Sequence, residues 1–210
     1  MVIGYVKGSL FSAHRRQGEP SAYLSPNRGP LAKMLYAWGY FETASTLGRQ
    51  MLRNHAPVDT AIYPLVYLYR HGVELALKQL AHDLAVIACE QVVSAKKMGQ
   101  HNLLALWGPV QSWLETAEYT LAEDAPRMEL HEAAAVIEDL DAVDPDGQAA
   151  RYDARKDGTH TLNTFETLNI QTLVDGMEGL SEFLHFWTQR MLDERLHLEQ
   201  QRRERQGSCP

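Results

Sequence analysis

A short run in the first half of the chain, YRHGVELALKQL at residues 69–80, combines ionisable groups with apolar neighbours. Arg70, Glu74 and Lys78 recur every four residues, so on a helix they share one face and can form ion pairs. His71 lies three residues before Glu74 and is also its helical neighbour. Because apolar residues flank these groups, we expect partial burial, where charges need partners. One interpretation is an internal ion-pair ladder that fixes helix packing, and the other is a polar cleft that binds or acts on a ligand.

A second group of candidate residues stands in the polar segment 143–167. Its run RYDARKDGTH places Arg151, Arg155 and His160 within ten residues. Two arginines can hold a phosphate in fork geometry, and a histidine can act as general acid or base near neutral pH. Arg155 and His160 have the spacing R-x4-H, although the same residues also fit an ordinary exposed loop. Long loops inside a compact domain are often functional or disordered.

Metal and cofactor chemistry is not predicted. Two E-x-x-H matches, Glu182 to His185 and Glu194 to His197, fall on one predicted helix. Di-iron bundles take this motif from two different helices. The chain also has no H-E-x-x-H, no P-loop and no G-x-G-x-x-G motif. We therefore expect no metal site and no cofactor.

The hydrophobic pattern predicts an all-α chain that folds as an antiparallel bundle of about five helices, several of them long. The predicted helices cover about residues 30–55, 60–97, 102–120, 125–142 and 168–200. The domain organisation follows from these limits and from composition. Residues 1–30 are expected to form an N-terminal arm or loop, residues 31–200 a helical domain, and residues 201–210 a flexible charged tail.

Charge and composition narrow the class of protein. The chain carries 27 acidic and 20 basic residues, a net charge of −7, which argues against a basic surface for non-specific nucleic-acid binding. A local basic cleft remains compatible with this balance. The two cysteines lack metal spacing, and neither a signal-peptide core nor a membrane-length apolar run is present. A cytoplasmic protein without a membrane association is the expectation.

Three runs, YPLVYLYRHGVELALKQL, GQHNLLALW and DPDGQAARYDARKDG, resemble a group of uncharacterised bacterial proteins that are similar to HEPN domains. The resemblance covers about residues 59–190. It is carried by Arg70, His71, Glu74, Lys78, His101, Trp107, Arg151 and Tyr152. The resemblance implies an all-helical homodimer whose polar motifs face each other across a cleft. It also implies a role in a toxin–antitoxin or antiphage-defence system, where an antitoxin or a defence-complex protein would be the partner.

The activity implied by the resemblance is metal-independent cleavage of RNA. A histidine would activate the 2′-hydroxyl or protonate the leaving oxygen, and an arginine would steady the scissile phosphate. The residues expected to be catalytic are Arg155, His160, Arg70 and His71, and those expected to bind the ligand are Glu74, Lys78, Arg151 and Tyr152. The alternative is a non-catalytic helical module that binds a nucleotide, RNA or a protein partner.

Overall fold

In the computed structural model of the chain, α-helices make up all of the regular structure that is described. The description covers residues 32–89, 92–116, 126–155, 158–161 and 167–207. The helices are α1 (Ala32–Leu52), α2 (Val58–Ala88), α3 (Ala95–Met98), α4 (Leu103–Thr116), α5 (Leu130–Val143) and α6 (Ile170–Gly207). The all-α prediction is confirmed for these residues, which hold no strand and only an isolated bridge between Ala154 and His160. The expected arm at residues 1–30 lies outside the described residues.

The central helix is α2, which packs against α1, α4 and α6. Apolar residues recur along it every three to four positions and form a continuous stripe. Its fully buried members include Leu65, Tyr69, Val73, Leu77 and Leu80. Because other helices surround α2, polar residues next to this stripe are buried as well.

The C-terminal ends of α2 and α6 differ most from their predicted positions. The helix expected to continue to Lys97 ends at residue 88, because Cys89 adopts a left-handed backbone conformation with φ of 56°. The short α3 follows as a separate element. In contrast, α6 continues to Gly207, so most of the segment expected to be a flexible tail is helical. Residues 208–210 lie outside the described part of the chain.

A carboxylate of α5 holds the beginning of α4. Asp141 Oδ1 accepts a hydrogen bond from the Leu103 N–H at 2.9 Å, and its Oδ2 accepts one from the Asn102 side chain at 3.1 Å. The Asn102 side chain in turn accepts a bond from the Ala105 N–H at 2.6 Å. These acceptors satisfy backbone donors at a helix N-terminus, where negative charge is also favoured. The result is a fixed position for His101, which immediately precedes this cap.

The first and last helices run antiparallel. The Trp38 ring of α1 packs on the His185 ring of α6, with 4.2 Å between the ring centroids. About two turns later on α1, the Ser45 hydroxyl donates a hydrogen bond of 2.6 Å to Glu178. Residue numbers therefore rise along α1 as they fall along α6. This pairing creates a cleft between the two helices.

A buried ion pair joins α6 to α2. Arg195 Nη1 donates to Asp83 Oδ1 at 2.6 Å, and the Gln79 side chain donates to Asp83 Oδ2 at 2.6 Å. All three residues are buried, so the pair is part of the packing between the two longest helices.

None of the described helices combines the length and apolar character needed to cross a bilayer.

Candidate functional site

Arg70 is the centre of a buried polar cluster where α2 meets the start of α4 and the loop after α5. Its Nε donates to the Asp144 carbonyl at 2.8 Å, its Nη1 donates to Glu74 Oε2 at 3.1 Å, and its Nη2 donates to the His101 carbonyl. Only 2% of the residue is exposed. Each nitrogen of the guanidinium is thus used by the protein, and a phosphate could reach it only if these bonds were broken.

The loop after α5 wraps around the Arg70 guanidinium. Asp144 Oδ1 accepts hydrogen bonds from the N–H groups of Gln148 at 2.7 Å and Ala149 at 2.9 Å, which closes the loop. Asp144 Oδ2 lies 3.4 Å from Arg70 Nε. Gly147 has φ of 73°, and a Cβ atom at this position would lie 2.9 Å from Arg70 Nη1. Both its backbone conformation and its lack of a side chain therefore fit glycine.

Three positively charged or protonatable side chains contact Glu74. Arg70 contacts one carboxylate oxygen, and Lys78 Nζ lies 2.8 Å from the other. The His101 Nδ1 atom lies 2.9 Å from that second oxygen. Burial alone would raise the pKa of Glu74, but Lys78 and His101 outweigh it and hold the pKa below its ordinary value. Glu74 is therefore a charged carboxylate in the interior, as a paired buried charge requires.

His101 connects this interior to the surface. Its carbonyl is bound by Arg70 and its Nδ1 lies beside Glu74, while 58% of its side chain is exposed. A carboxylate next to Nδ1 accepts the Nδ1 proton, which leaves Nε2 as the ring nitrogen free for a ligand. A carboxylate in this position also orients the imidazole.

Aromatic rings and a guanidinium form a surface beside this cluster, which we call the aromatic face and define as Tyr40, Tyr67, His71, Arg151 and Tyr152. The His71 ring stacks on the Tyr67 ring at 5.6 Å between centroids and 11° between planes. Tyr40 meets the His71 ring edge-on at 4.6 Å. Arg151 Cζ lies 5.7 Å from the Tyr67 centroid and 5.5 Å from the Tyr152 centroid, within cation–π distance of both.

His71 has a shifted pKa. Its partial burial lowers the pKa of the imidazole below the ordinary 6.5, and the positive charges of Arg70 and Arg151 lower it further. Glu74 opposes these effects without reversing them. The ring is consequently neutral at pH 7, which is the form that can accept a proton.

The R-x4-H pair of the polar loop occupies a different position. Arg155 Nε lies 3.4 Å from Asp146 Oδ2, and its backbone N–H donates to the Thr159 carbonyl at 2.8 Å. His160 is exposed, with its Nδ1 3.4 Å from the Asp153 carbonyl. Among the described residues, no hydrogen bond, ion pair or ring contact connects Arg155 or His160 to the aromatic face. Their assignment as catalytic residues stays a prediction.

The remaining expected site residues are brought together as follows. Glu74 and Lys78 belong to the Arg70 cluster, whereas His71, Arg151 and Tyr152 belong to the aromatic face. The two groups adjoin, because Arg70 and His71 are consecutive on α2. The 69–80 run therefore contributes to a buried ion-pair ladder and, next to it, to a surface of aromatic rings. The interpretation that this part of the chain binds or acts on a ligand stays a prediction.

Sequence reasoning did not assign three important partners. Asp144 has a recognisable local signal, since Asp-Pro-Asp-Gly is typical of a turn in which an aspartate side chain accepts backbone hydrogen bonds. Tyr40 has no such signal, and His101 was noted only through the resemblance to HEPN domains, because the two residues reach α2 from sequence positions 31 and 27 residues away from His71 and Glu74. Only the packing of α1 and α4 against α2 reveals these contacts.

Within the described ranges, no group of three or more histidine, cysteine, aspartate or glutamate residues is arranged to hold a metal ion. No protein-family model, curated protein or solved structure matches the chain. The function of the site is therefore inferred from the geometry of its side chains.

Proposed function

We propose that this protein is a HEPN-like helical module that binds RNA or a nucleotide on its aromatic face. The observation that carries this proposal is the position of Arg151, which lies over the rings of both Tyr67 and Tyr152, beside a His71 ring that is stacked on Tyr67. Single-stranded RNA is recognised mainly by stacking of unpaired bases on aromatic rings and arginine planes.

The proposed mode of binding assigns a ring of the face to a base and the guanidinium of the face to a phosphate. Tyr152 is 55% exposed, so it offers open ring surface to a base. The Arg151 guanidinium is exposed and has no carboxylate within ion-pair distance among the described residues, so it is free to contact a phosphate. Arg151 therefore places one positive charge on this face, in a chain whose net charge is −7.

The resemblance to HEPN-like proteins extends the proposal beyond the single chain. The module would act as a homodimer in the cytoplasm, in a toxin–antitoxin or antiphage-defence system. An antitoxin or another defence-complex protein would then be its partner. The all-helical architecture supports this assignment at the level of fold class alone.

Binding can be measured by fluorescence anisotropy with a labelled single-stranded RNA of about 12 nucleotides, and with a labelled adenine nucleotide. We expect Arg151→Ala and Tyr152→Ala each to weaken RNA binding by about tenfold, since loss of one stacking contact costs roughly 1–3 kcal/mol. Affinity of the unaltered protein should fall as salt rises, because phosphate contacts release counterions.

Arg53→Ala is the matched control, because Arg53 is exposed at the opposite end of α1 and should leave binding unchanged. Equal affinity for all four proteins would contradict the aromatic face as the site. An affinity that is independent of salt would contradict a phosphate-binding mode.

A second candidate function, metal-independent endoribonuclease activity, is favoured by the two histidines at this site. His71 is neutral at pH 7, and it is close enough to His101 for the charge of that ring to lower the pKa of His71. His71 would remove the proton from a 2′-hydroxyl, and the resulting oxygen would attack the phosphorus. His101 would protonate the departing 5′-oxygen, which leaves a 2′,3′-cyclic phosphate and a free 5′-hydroxyl.

This activity can be tested by incubating the purified protein with cellular RNA in EDTA. Loss of cleavage in His71→Ala and His101→Ala, with unchanged circular dichroism, would assign the two histidines. Loss in His160→Ala or Arg155→Ala instead would place the chemistry on the polar loop. No cleavage by any form, together with RNA binding on the aromatic face, would leave the binding module as the function.

A further inference from the structure

The middle of α2 reaches the surface along a single line of side chains. In the fully described range from Leu65 to Ala81, five residues are partly exposed and all the others are buried. Most of them are spaced by three or four positions, so they share one face of the helix. The line extends about 16 Å, at about 1.5 Å of helix rise per residue. We call it the α2 track and define it as Tyr67, Leu68, His71, Leu75 and Lys78.

The Tyr67 end of the α2 track coincides with the aromatic face. The His71 ring stacks on Tyr67 at 5.6 Å between centroids, and Arg151 Cζ lies 5.7 Å from the Tyr67 centroid. Tyr40 of α1 borders this end, edge-on to the His71 ring at 4.6 Å. This end therefore offers ring surface for a base together with one guanidinium for a phosphate.

The Lys78 end carries a second pair of polar groups, from residues that the aromatic face does not include. Lys78 Nζ lies 2.8 Å and His101 Nδ1 lies 2.9 Å from the same oxygen atom, Glu74 Oε1. The side chain of Glu74 is 3% exposed, whereas those of Lys78 and His101 are 19% and 58% exposed. The carboxylate is therefore buried, while the ammonium and the imidazole that it holds both reach the surface.

The charges around Lys78 are balanced, and the ammonium is the one that is open to solvent. Two cations, Arg70 and Lys78, are matched by two buried carboxylates, those of Glu74 and Asp144. Among the described residues, Glu74 is the one acceptor of the Lys78 ammonium. Because an ammonium has three N–H groups, two of them remain for a ligand, and a phosphate oxygen accepts charge-assisted hydrogen bonds of this kind.

The imidazole of His101 adds a group that suits a sugar better than a phosphate. Burial alone would raise the pKa of Glu74, but Lys78 and His101 outweigh it, so the carboxylate is ionised and can only accept hydrogen bonds. The Nδ1 atom of His101 therefore carries a proton, and in the neutral ring Nε2 is an acceptor. A phosphodiester has no hydrogen to donate to this atom, whereas the 2′-hydroxyl of ribose does.

The distance between the two ends of the α2 track limits the size of the ligand. Successive nucleotides of a stacked strand rise by about 3.4 Å, so a nucleoside monophosphate at the Tyr67 end cannot reach Lys78. A strand of several nucleotides can place one phosphate at each end. The residues of the track between the two ends are Leu68, His71 and Leu75, and none of them is a carboxylate that would repel the strand.

We propose that the ligand is a single-stranded RNA of several nucleotides that lies along the α2 track, an inference that rests on the proposed function. A base stacks at the Tyr67 end, where Arg151 contacts one phosphate. Lys78 donates to a second phosphate farther along the strand, and His101 Nε2 accepts a hydrogen bond from a 2′-hydroxyl. The Lys78 end thereby selects a strand over a single nucleotide and RNA over DNA.

Fluorescence anisotropy on the full-length protein tests this with three labelled ligands: an RNA hexamer of adenosine, the corresponding DNA hexamer and adenosine monophosphate. We expect the RNA hexamer to bind at least about tenfold more tightly than either of the others, since it alone combines two phosphate contacts with a 2′-hydroxyl. Equal affinity for RNA and DNA, or for the RNA hexamer and the monophosphate, would overturn the proposal. Adenosine triphosphate is a fourth ligand, and affinity equal to that of the RNA hexamer would also overturn it, in favour of a single nucleotide that spans the track.

Two substitutions test the Lys78 end directly. Lys78→Met removes the ammonium and keeps an unbranched side chain, so it should weaken binding of the RNA hexamer about tenfold and leave the monophosphate unaffected. It should also lower the slope of log affinity against log salt by about 0.7, the value for one phosphate contact of a single strand. His101→Ala should abolish the preference for RNA over DNA. Circular dichroism shows whether each variant is folded, and the comparison of ligands on the unaltered protein does not depend on either variant.

Arg53→Met is the matched control, because Arg53 is an exposed cation just before α2 begins, about 30 Å along the helix from Lys78. It should bind every ligand as the unaltered protein does. Equal losses for the hexamer and the monophosphate in Lys78→Met, with an unchanged salt slope, would show a structural role for Lys78 and overturn the proposal. If Arg151→Ala weakens hexamer binding and Lys78→Met does not, this inference fails and the proposed function stands. If neither substitution weakens it, both fail.

Discussion

Arg70 is the residue whose structural role is clearest. It places a full positive charge in the interior and joins α2 to two segments that are distant in sequence, through Asp144 and His101. Removal of one partner from a buried ionic cluster usually costs more than removal of an exposed charge, because the remaining groups stay buried without compensation.

We therefore expect Arg70→Met to lower the free energy of unfolding by about 3–5 kcal/mol. The measurement is urea denaturation followed by circular dichroism. Arg53→Met, at an exposed position, is the control and should change stability by less than about 0.5 kcal/mol. A similar small effect in Arg70→Met would show that the cluster is not part of the stabilising interior.

His71 should make stability depend on pH. Its pKa is lowered in the folded protein, so the unfolded chain binds a proton more readily than the folded chain does. The contribution of His71 is fully present above its unfolded pKa of about 6.5 and is lost as the pH falls through that value toward the folded pKa.

The measurement is the midpoint of thermal unfolding between pH 7.5 and pH 5. His71→Asn should unfold with a weaker dependence on pH than the unaltered protein over this range. His160→Asn, at an exposed histidine of the polar loop, is the control and should keep the full dependence. Identical slopes for all three proteins would contradict a lowered pKa at His71.

The loop after α5 shows how one short segment can complete a site that lies mainly on a helix. Asp144 closes the loop through its side chain, and Gly147 allows the backbone to approach the Arg70 guanidinium. The next residues along the chain, Arg151 and Tyr152, contribute to the aromatic face. Correct placement of the loop is therefore a condition both for burial of Arg70 and for assembly of the exposed surface.

The effect of the close approach between Gly147 and Arg70 can be separated from backbone strain, because Gly158 also has a positive φ but lies in open space. Alanine in a left-handed conformation costs about 1–2 kcal/mol at either position. Gly158, with φ of 84°, has open space around a new Cβ, whereas at Gly147 the Cβ would lie 2.9 Å from Arg70 Nη1. Urea denaturation should show a clearly larger loss of stability for Gly147→Ala than for Gly158→Ala. Equal losses would show that the guanidinium can move away without cost.

At the scale of the whole molecule, the exposed apolar side chains near the start of α1 are relevant to assembly. Leu35 and Tyr36 are 42% and 62% exposed there. Exposed apolar groups that lie close together often mark an interface. The resemblance to HEPN-like proteins suggests a second copy of the chain as the partner.

We expect sedimentation equilibrium at micromolar concentration to give twice the 23.7 kDa mass of one chain. Leu35→Asp should shift the equilibrium toward the monomer if this surface forms the contact, because burial of a charge is unfavourable. A mass of one chain across the micromolar range would contradict the homodimer, and the proposed RNA or nucleotide binding would then belong to the monomer.

Local patterns in the chain determined the class of fold and part of the site. Apolar spacing of three to four residues placed most of the helices, because one face of each helix must be buried. The i, i+4 spacing of Arg70, Glu74 and Lys78 indicated ion pairs, which the structure contains. The end of α2 was not predicted, because the residue in the left-handed cap is Cys89 and neither glycine nor proline marks this position in the sequence.

Tertiary structure alone decided which polar residues are buried and which are accessible. Arg70 and His71 are neighbours in sequence, yet one is enclosed by Asp144 and His101 while the other stacks on the surface. Those enclosing groups come from segments 31 and 74 residues away, and no local pattern specifies a contact over such a separation. The α1–α6 cleft likewise exists only because the two ends of the described chain pack antiparallel.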